Sequence, residues 1–208
     1  MAQGPEPLSR KTVTVLFCDV AGSTNLGESV DPETMRHVML RYFDEMRPIL
    51  ERHGGTVEKF IGDAVLGVFG VPVLHEDDAL RAVRAAGEMR DALGRLNGEL
   101  ESRWGVRLGA RMGINTGEVV VGDPTARQTI ASGDTFNVAA RLQEAAQPGE
   151  ILLGKETYRL VEDRIRAGPL RSFSLKGKRE DVHTWSLDEV RSSADRVFRR
   201  IGSPLVGR

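Results

Sequence analysis

The sequence predicts an α+β domain with a ferredoxin-like βαββαβ core of the kind that forms one sheet covered by helices. Three observations lead there. Short runs of β-branched and apolar residues alternate with longer segments whose apolar residues recur every three or four positions. Their order is β-α-β-β-α-β-β-α-β-α-β-β, and the first half of that order is the ferredoxin-like pattern. With 40% hydrophobic and 28% charged residues, the 208-residue chain has the composition of a folded domain able to bury a sizeable core.

Residues 1–10, rich in Pro, Gly and polar side chains, read as a flexible arm. Thr12–Phe17 has strong β-propensity and an almost unbroken apolar side, which predicts a buried central strand ending at Asp19. Asp31-Pro32 is an N-cap followed by a first helical residue. Behind it Met35, Val38, Met39, Tyr42, Phe43, Met46, Ile49 and Leu50 form one helical stripe, closed by Gly54-Gly55. Pro48 falls inside that stripe and should kink the last turn or mark its edge. Thr56–Phe60 and Val65–Phe69 suit a hairpin with Asp63 at its tip.

A long helix follows over about Glu76–Ser102, with Val83, Ala86, Met89, Leu93, Leu96 and Leu100 on one face. Val106–Asn115 and Val119–Gly122 read as a strand pair around Thr116-Gly117, and 134–146 as a helix between Gly133 and Pro148-Gly149. Ile151–Leu153, Arg171–Leu175 and Val182–Leu187 are the remaining strands. These elements set a domain over 11–187. Residues 188–208 turn polar and Arg-rich and read as a linker toward another domain.

The net charge of −1 offers no basic field for nucleic acid or an anionic membrane. No stretch reaches the roughly 20 apolar residues of a membrane span, and MAQGPEPLSRK lacks the apolar run of a signal peptide. Cys18 stands alone, so no intramolecular disulfide can form, and a cytoplasmic location is expected. Cys18 itself reads as a small buried hydrophobe, and Trp104 and Trp185 as core or rim.

Two aspartates carry the first chemical signal. A carboxylate at the end of a hydrophobic strand is costly unless something positive meets it. Asp19 and Asp63 could meet over Mg²⁺, which takes a few hard oxygens plus substrate phosphates, or they could be unrelated turn residues. After Asp19 comes Val20-Ala21-Gly22-Ser23-Thr24, a small-residue loop of the type that lets a triphosphate approach backbone N–H groups. Asn137 and Arg141, four apart on a helix, present an amide and a guanidinium on one face. Such a pair can hold a ribose and stabilise phosphoryl charge, though an exposed polar face has the same spacing.

Four segments in this order remove the ambiguity: Phe17–Thr24, Glu58–Ala64, Gly113–Gly117 and Gly133–Leu142. Together they closely resemble the class III adenylate/guanylate cyclase domain, over roughly residues 11–187. The resemblance implies a head-to-tail homodimer with each site shared between subunits, and ATP cyclised with two Mg²⁺ or Mn²⁺ ions. It implies that Asp19, Asp63 and the backbone carbonyl of Val20 hold the ions, and the loop Gly22, Ser23 and Thr24 stays the candidate for the phosphates. From the other subunit it implies Lys59 at the purine, Asn137 at the ribose, Arg141 at the transition state and Lys176 at the terminal phosphates.

Ile130, seven residues before Asn137, departs from the Asp or Thr that many adenylate cyclases use to read the base. An isoleucine packs on a purine but accepts no hydrogen bond. Lys59 still favours ATP, where guanylate cyclases usually carry Glu. A guanylate cyclase and a degenerate nucleotide-sensing domain are the competing readings. The end of the chain, Ser203–Arg208, resembles the opening of an ATPase domain that follows cyclase domains in some large bacterial signalling proteins.

Overall fold

The computed structural model describes residues 9–121, 130–131, 134–173 and 181–191. Strand β1 (Ser9–Ala21) leads to a short helix α1 (Ser23–Ser29) and a long α2 (Pro32–Arg52). The hairpin β2 (Thr56–Ile61) and β3 (Ala64–Phe69) precedes α3 (Asp78–Trp104), β4 (Gly109–Val121) and the two-residue β5 (Ile130–Ala131). The chain goes on through α4 (Asp134–Ala145), β6 (Ile151–Gly154), α5 (Lys155–Val161), β7 (Ile165–Ala167), β8 (Arg171–Phe173) and β9 (Val182–Val190).

Among the described residues the sheet runs β2-β3-β1-β4-β6-β9-β7, with β5 on β4 and β8 on β9. Its first four strands are the ferredoxin-like core: β2 is reached from β1 by the α2 crossover, and β3 returns to fill the space between them. β1 is central, paired antiparallel with β3 on one side and with β4 along its full length on the other. Alternation along it divides the core. Leu16, Cys18 and Val20 face the main cluster with α2, α3 and α5, while Val13 and Val15 face a smaller one that includes Ala139 of α4. Helices therefore cover both faces, with α4 on the opposite side from α2 and α3.

Most elements form for the reasons visible in the sequence. Asp31 caps α2, accepting the Thr34 N–H at 2.9 Å. The helix runs unbroken through Pro48, so the proline is neither an edge nor an end. Cys18 is fully buried, with its sulfur 3.2 Å from the Tyr42 hydroxyl. Trp185 stacks on Tyr158 at 4.1 Å between ring centroids, and Trp104 is flanked by His37 and Arg103.

Three expectations are corrected. The strand pair around Thr116-Gly117 is one continuous strand, β4, with no turn at that point. Thr116 is a buried hydroxyl, not a loop residue: it hydrogen-bonds Thr14 and Thr157, each at 2.9 Å. Gly117 is small because Thr135 of α4 passes over it, its Oγ1 2.6 Å from where a Cβ would stand. Residues 106–108 precede β4, where Asn97 of α3 bonds both the N–H and the carbonyl of Leu108. The loop after Asp19 is a strand end and a helix start, α1, and β7 was not foreseen. At the domain edges, Ser9 and Arg10 belong to β1 and Asp188–Val190 to β9.

Candidate active site

β1 and the β2–β3 hairpin position both aspartates. Cys18 is the last β1 residue paired with β3, opposite Val65, so Asp19 and Asp63 each lie just past the end of that ladder. Both are half-buried. The phenol of Tyr42 is fully buried and meets the Cys18 sulfur next to Asp19. Burial, the adjacent Cys18 thiol and the charges of Asp19 and Asp63 together hold its pKa well above the ordinary value. Both aspartates thus lie at the same end of the β1–β3 ladder.

Asp19 is met there by positive and polar partners. Arg111, its register partner on β4, donates from Nη2 to Oδ2 at 2.7 Å. Gln143 of α4 donates to the same oxygen at 3.1 Å. Arg111 Nε is buried without a partner among the described residues. Neither Arg111 nor Gln143 stood out in the sequence. They lie 92 and 124 residues from Asp19, and only the pairing of β1 with β4 and the packing of α4 bring them in. The sole available signal was the position of Arg111 two residues before Gly113-Ile114-Asn115-Thr116-Gly117.

Gly22 follows with φ 72, a left-handed conformation that favours glycine, and its carbonyl accepts the first hydrogen bond of α1 from Leu26 at 3.0 Å. Ser23 opens α1 and is half-buried; Val20 is buried in β1 opposite Ala110. The side chain of Thr24 lies outside the described residues.

α4 carries the remaining pair, and its seating on the sheet decides which way that pair points. At Gly113 a Cβ would collide with the Ala139 carbonyl and the Gln143 N–H, and would sit 3.0 Å from the Leu142 carbonyl carbon. Helix and strand meet backbone to backbone. Asn137 and Arg141 are about 40° apart around the helix, whereas Gln143 is about 200° from Arg141. Gln143 accordingly faces inward, 7% exposed, while Asn137 is exposed and Arg141 half-buried. Asn137 and Arg141 share a face of α4, on the side of the helix away from Gln143.

Lys59 pairs through its backbone with Leu66, just after a bulge in β2, and Ile130 pairs with Val121. The side chains of Lys59 and Ile130, and all of Lys176, lie outside the described residues.

The profile of the adenylate and guanylate cyclase catalytic domain matches residues 6–189. The chain belongs to that family. Adenylate cyclase 1 of Rhizobium meliloti is 29% identical over 174 residues, covering 81% of this chain and 26% of that protein. Two solved structures match with a TM-score of 0.83: the guanylyl cyclase Cya2, 33% identical over 89% of this chain and 96% of its own, and the adenylyl cyclase CyaB from P. aeruginosa, 34% identical over 89% and 97%. The mixed sheet and its helices are thus those of a class III cyclase catalytic domain. This chain spans about a quarter to a third of the length of the curated relatives it matches. No described helix is long and apolar enough to cross a membrane.

The donor set fits divalent ions that arrive with a nucleotide. Among the described residues no three carboxylate, His or Cys side chains gather into a closed cage. Two carboxylates at a sheet corner are instead what Mg²⁺ or Mn²⁺ needs when phosphates and water complete its shell.

Proposed function

We propose that the chain is an adenylate cyclase domain that converts ATP to 3′,5′-cyclic AMP and pyrophosphate in a head-to-tail homodimer. The observation that carries the reading is the opposition of Asp19 and Asp63 to the pair on α4. The carboxylates gather at one corner, while Asn137 and Arg141 face away from it on a helix that cannot rotate against Gly113. A second chain supplies the missing half to each.

Asp19, Asp63 and the Val20 carbonyl hold the ions. Two bound ions would acidify the ribose 3′-hydroxyl and neutralise the phosphates. The protein's own part is positioning. Gly22, Ser23 and Thr24 let the triphosphate approach backbone N–H groups closely. Asn137 of the second chain orients the ribose so that its 3′-oxygen is in line with the α-phosphorus. Arg141 stabilises the charge that grows on the phosphoryl oxygens as pyrophosphate leaves. Lys59 reads the adenine and Lys176 binds the terminal phosphates. Ile130 packs on the base without accepting a hydrogen bond, so preference for ATP over GTP rests on Lys59 and is modest.

The presence of Asp19, Asp63, Asn137 and Arg141 together favours an enzyme over a nucleotide sensor. The reaction belongs in the cytoplasm, where ATP is. Turnover of the purified chain with Mn²⁺ and either ATP or GTP, products resolved by chromatography, tests the reading. Cyclic AMP in excess over cyclic GMP is expected; no cyclic product from either nucleotide contradicts the enzyme, and cyclic GMP in excess contradicts its specificity.

A further inference from the structure

We propose that Gln143 is a positioning residue for the reaction: its side-chain amide fixes the Asp19 carboxylate for ion binding and ties that carboxylate to α4. The inference rests on the reading of Asp19 as an ion-binding residue. Gln143 is a buried polar residue, 7% exposed, at a helix position where an apolar side chain would serve packing alone. Among the described residues its side chain makes one hydrogen bond, from Nε2 to Asp19 Oδ2 at 3.1 Å. An ionised carboxylate only accepts, so the amide nitrogen must be the group that faces it.

Arg111 donates to the same oxygen, so among the described residues both side-chain donors converge on Oδ2 and leave Oδ1 for an ion. Two donors from different elements restrict the carboxylate more than Arg111 alone would. Hydrogen bonds to a ligating carboxylate of this kind orient it and are worth about 10–100-fold in metal affinity. The reach depends on Gly113. With the backbone of residues 139–143 against β4, the glutamine is long enough to cross to β1. The helix that turns Asn137 and Arg141 outward is thereby held, at its inner face, by the carboxylate of its own chain.

Three variants test this in the full chain. Gln143→Met keeps length and volume but removes the donor, and Gln143→His offers a ring N–H at similar reach. Gln143→Leu replaces the methionine variant if that does not stay folded. Free Mn²⁺ at half-saturation is read by electron paramagnetic resonance with a fixed amount of the Mn²⁺ complex of 3′-deoxy-ATP, which lacks the attacking hydroxyl, and independently from turnover of ATP. The expected result is half-saturation raised about tenfold or more in the methionine variant, kcat at saturating Mn²⁺ within about threefold of wild type, and histidine restoring most of the affinity. A purely structural role lowers the melting temperature of the methionine variant and leaves half-saturation where it was. That outcome, or a histidine variant as weak as methionine, overturns the proposal. Wild-type protein that neither binds Mn²⁺ with the analogue nor turns over ATP or GTP contradicts the cyclase reading itself, and so is distinguishable.

Discussion

On its inner face α4 is pressed against β4 until no side chain fits at Gly113, and its Gln143 is buried with the amide on Asp19. On its outer face Asn137 stands in solvent and Arg141 is half-exposed. The inner face is tied together within one chain: the Arg111 guanidinium and the Gln143 amide both donate to the Asp19 carboxylate. The outer face carries an amide and a guanidinium, turned away from the corner proposed to bind the ions. The difference teaches that one helix can serve its own chain with one face and, on the proposed reading, a partner's site with the other.

The largest expected effect comes from the carboxylate corner. Asp63→Ala and Asp19→Ala should each lower turnover by about 10³-fold or more, since the ions contribute several kcal/mol to the transition state. The two should part on stability. Asp19→Ala strands Arg111 and Gln143 without their acceptor and should cost about 1–3 kcal/mol in urea unfolding. Asp63, in the hairpin turn, should cost much less. Equal stability loss in both would mean that Asp19 is not the anchor of the inner face.

Arg141→Ala should lower kcat by about 10²–10³-fold. Because the side chain faces outward, its melting curve should match wild type. A large loss of stability would place Arg141 in its own chain's core and break the contrast between the faces.

Gly113→Ala sharpens the comparison from the backbone side. The added methyl meets the Ala139 carbonyl and the Gln143 N–H and should cost about 1–3 kcal/mol by pushing α4 off the sheet. It should also weaken Mn²⁺ binding, because Gln143 moves with the helix. Unchanged Mn²⁺ binding in a measurably destabilised variant would separate seating from ion binding.

The smallest effect lies beneath the carboxylates. Burial pushes the Cys18 thiol up to about 12 from an ordinary 9.0, with its Tyr42 hydrogen bond opposing and the Asp19 charge adding. The folded protein keeps a proton that the unfolded chain releases. Stability from this group is therefore full below about pH 9 and falls as pH climbs from 9.0 toward 12. Urea midpoints should decline above pH 9, and Cys18→Ala should flatten the first part of that decline. A midpoint independent of Cys18 across this range would show that the thiol titrates freely.

Much of this was legible in the sequence, and the limits have physical causes. The capped α2, the Asp63 turn and the helix under Asn137 and Arg141 are local patterns, and each forms where its residues predicted; β1 runs on past Asp19 to Ala21 because β4 pairs with it that far. Thr116-Gly117 misled because turn residues are also what a buried strand uses when hydroxyls pair across it and a helix crosses it closely. α1 has one turn's worth of apolar signal, too little to stand out from a loop. Arg111 and Gln143 escaped because their meaning depends on Asp19, distant in sequence and adjacent only once β1, β4 and α4 assemble.

The central claim is that Asp63 acts with Arg141 of another chain and never with its own. Asp63→Ala and Arg141→Ala chains, each inactive alone, should be mixed after exchange of differently tagged subunits has been demonstrated. Half the dimers of a random mixture are mixed, each with one intact and one doubly damaged site, so activity should recover to about a quarter of wild type. If exchange is complete and the mixture stays as inactive as its parents, the site is not built across two chains.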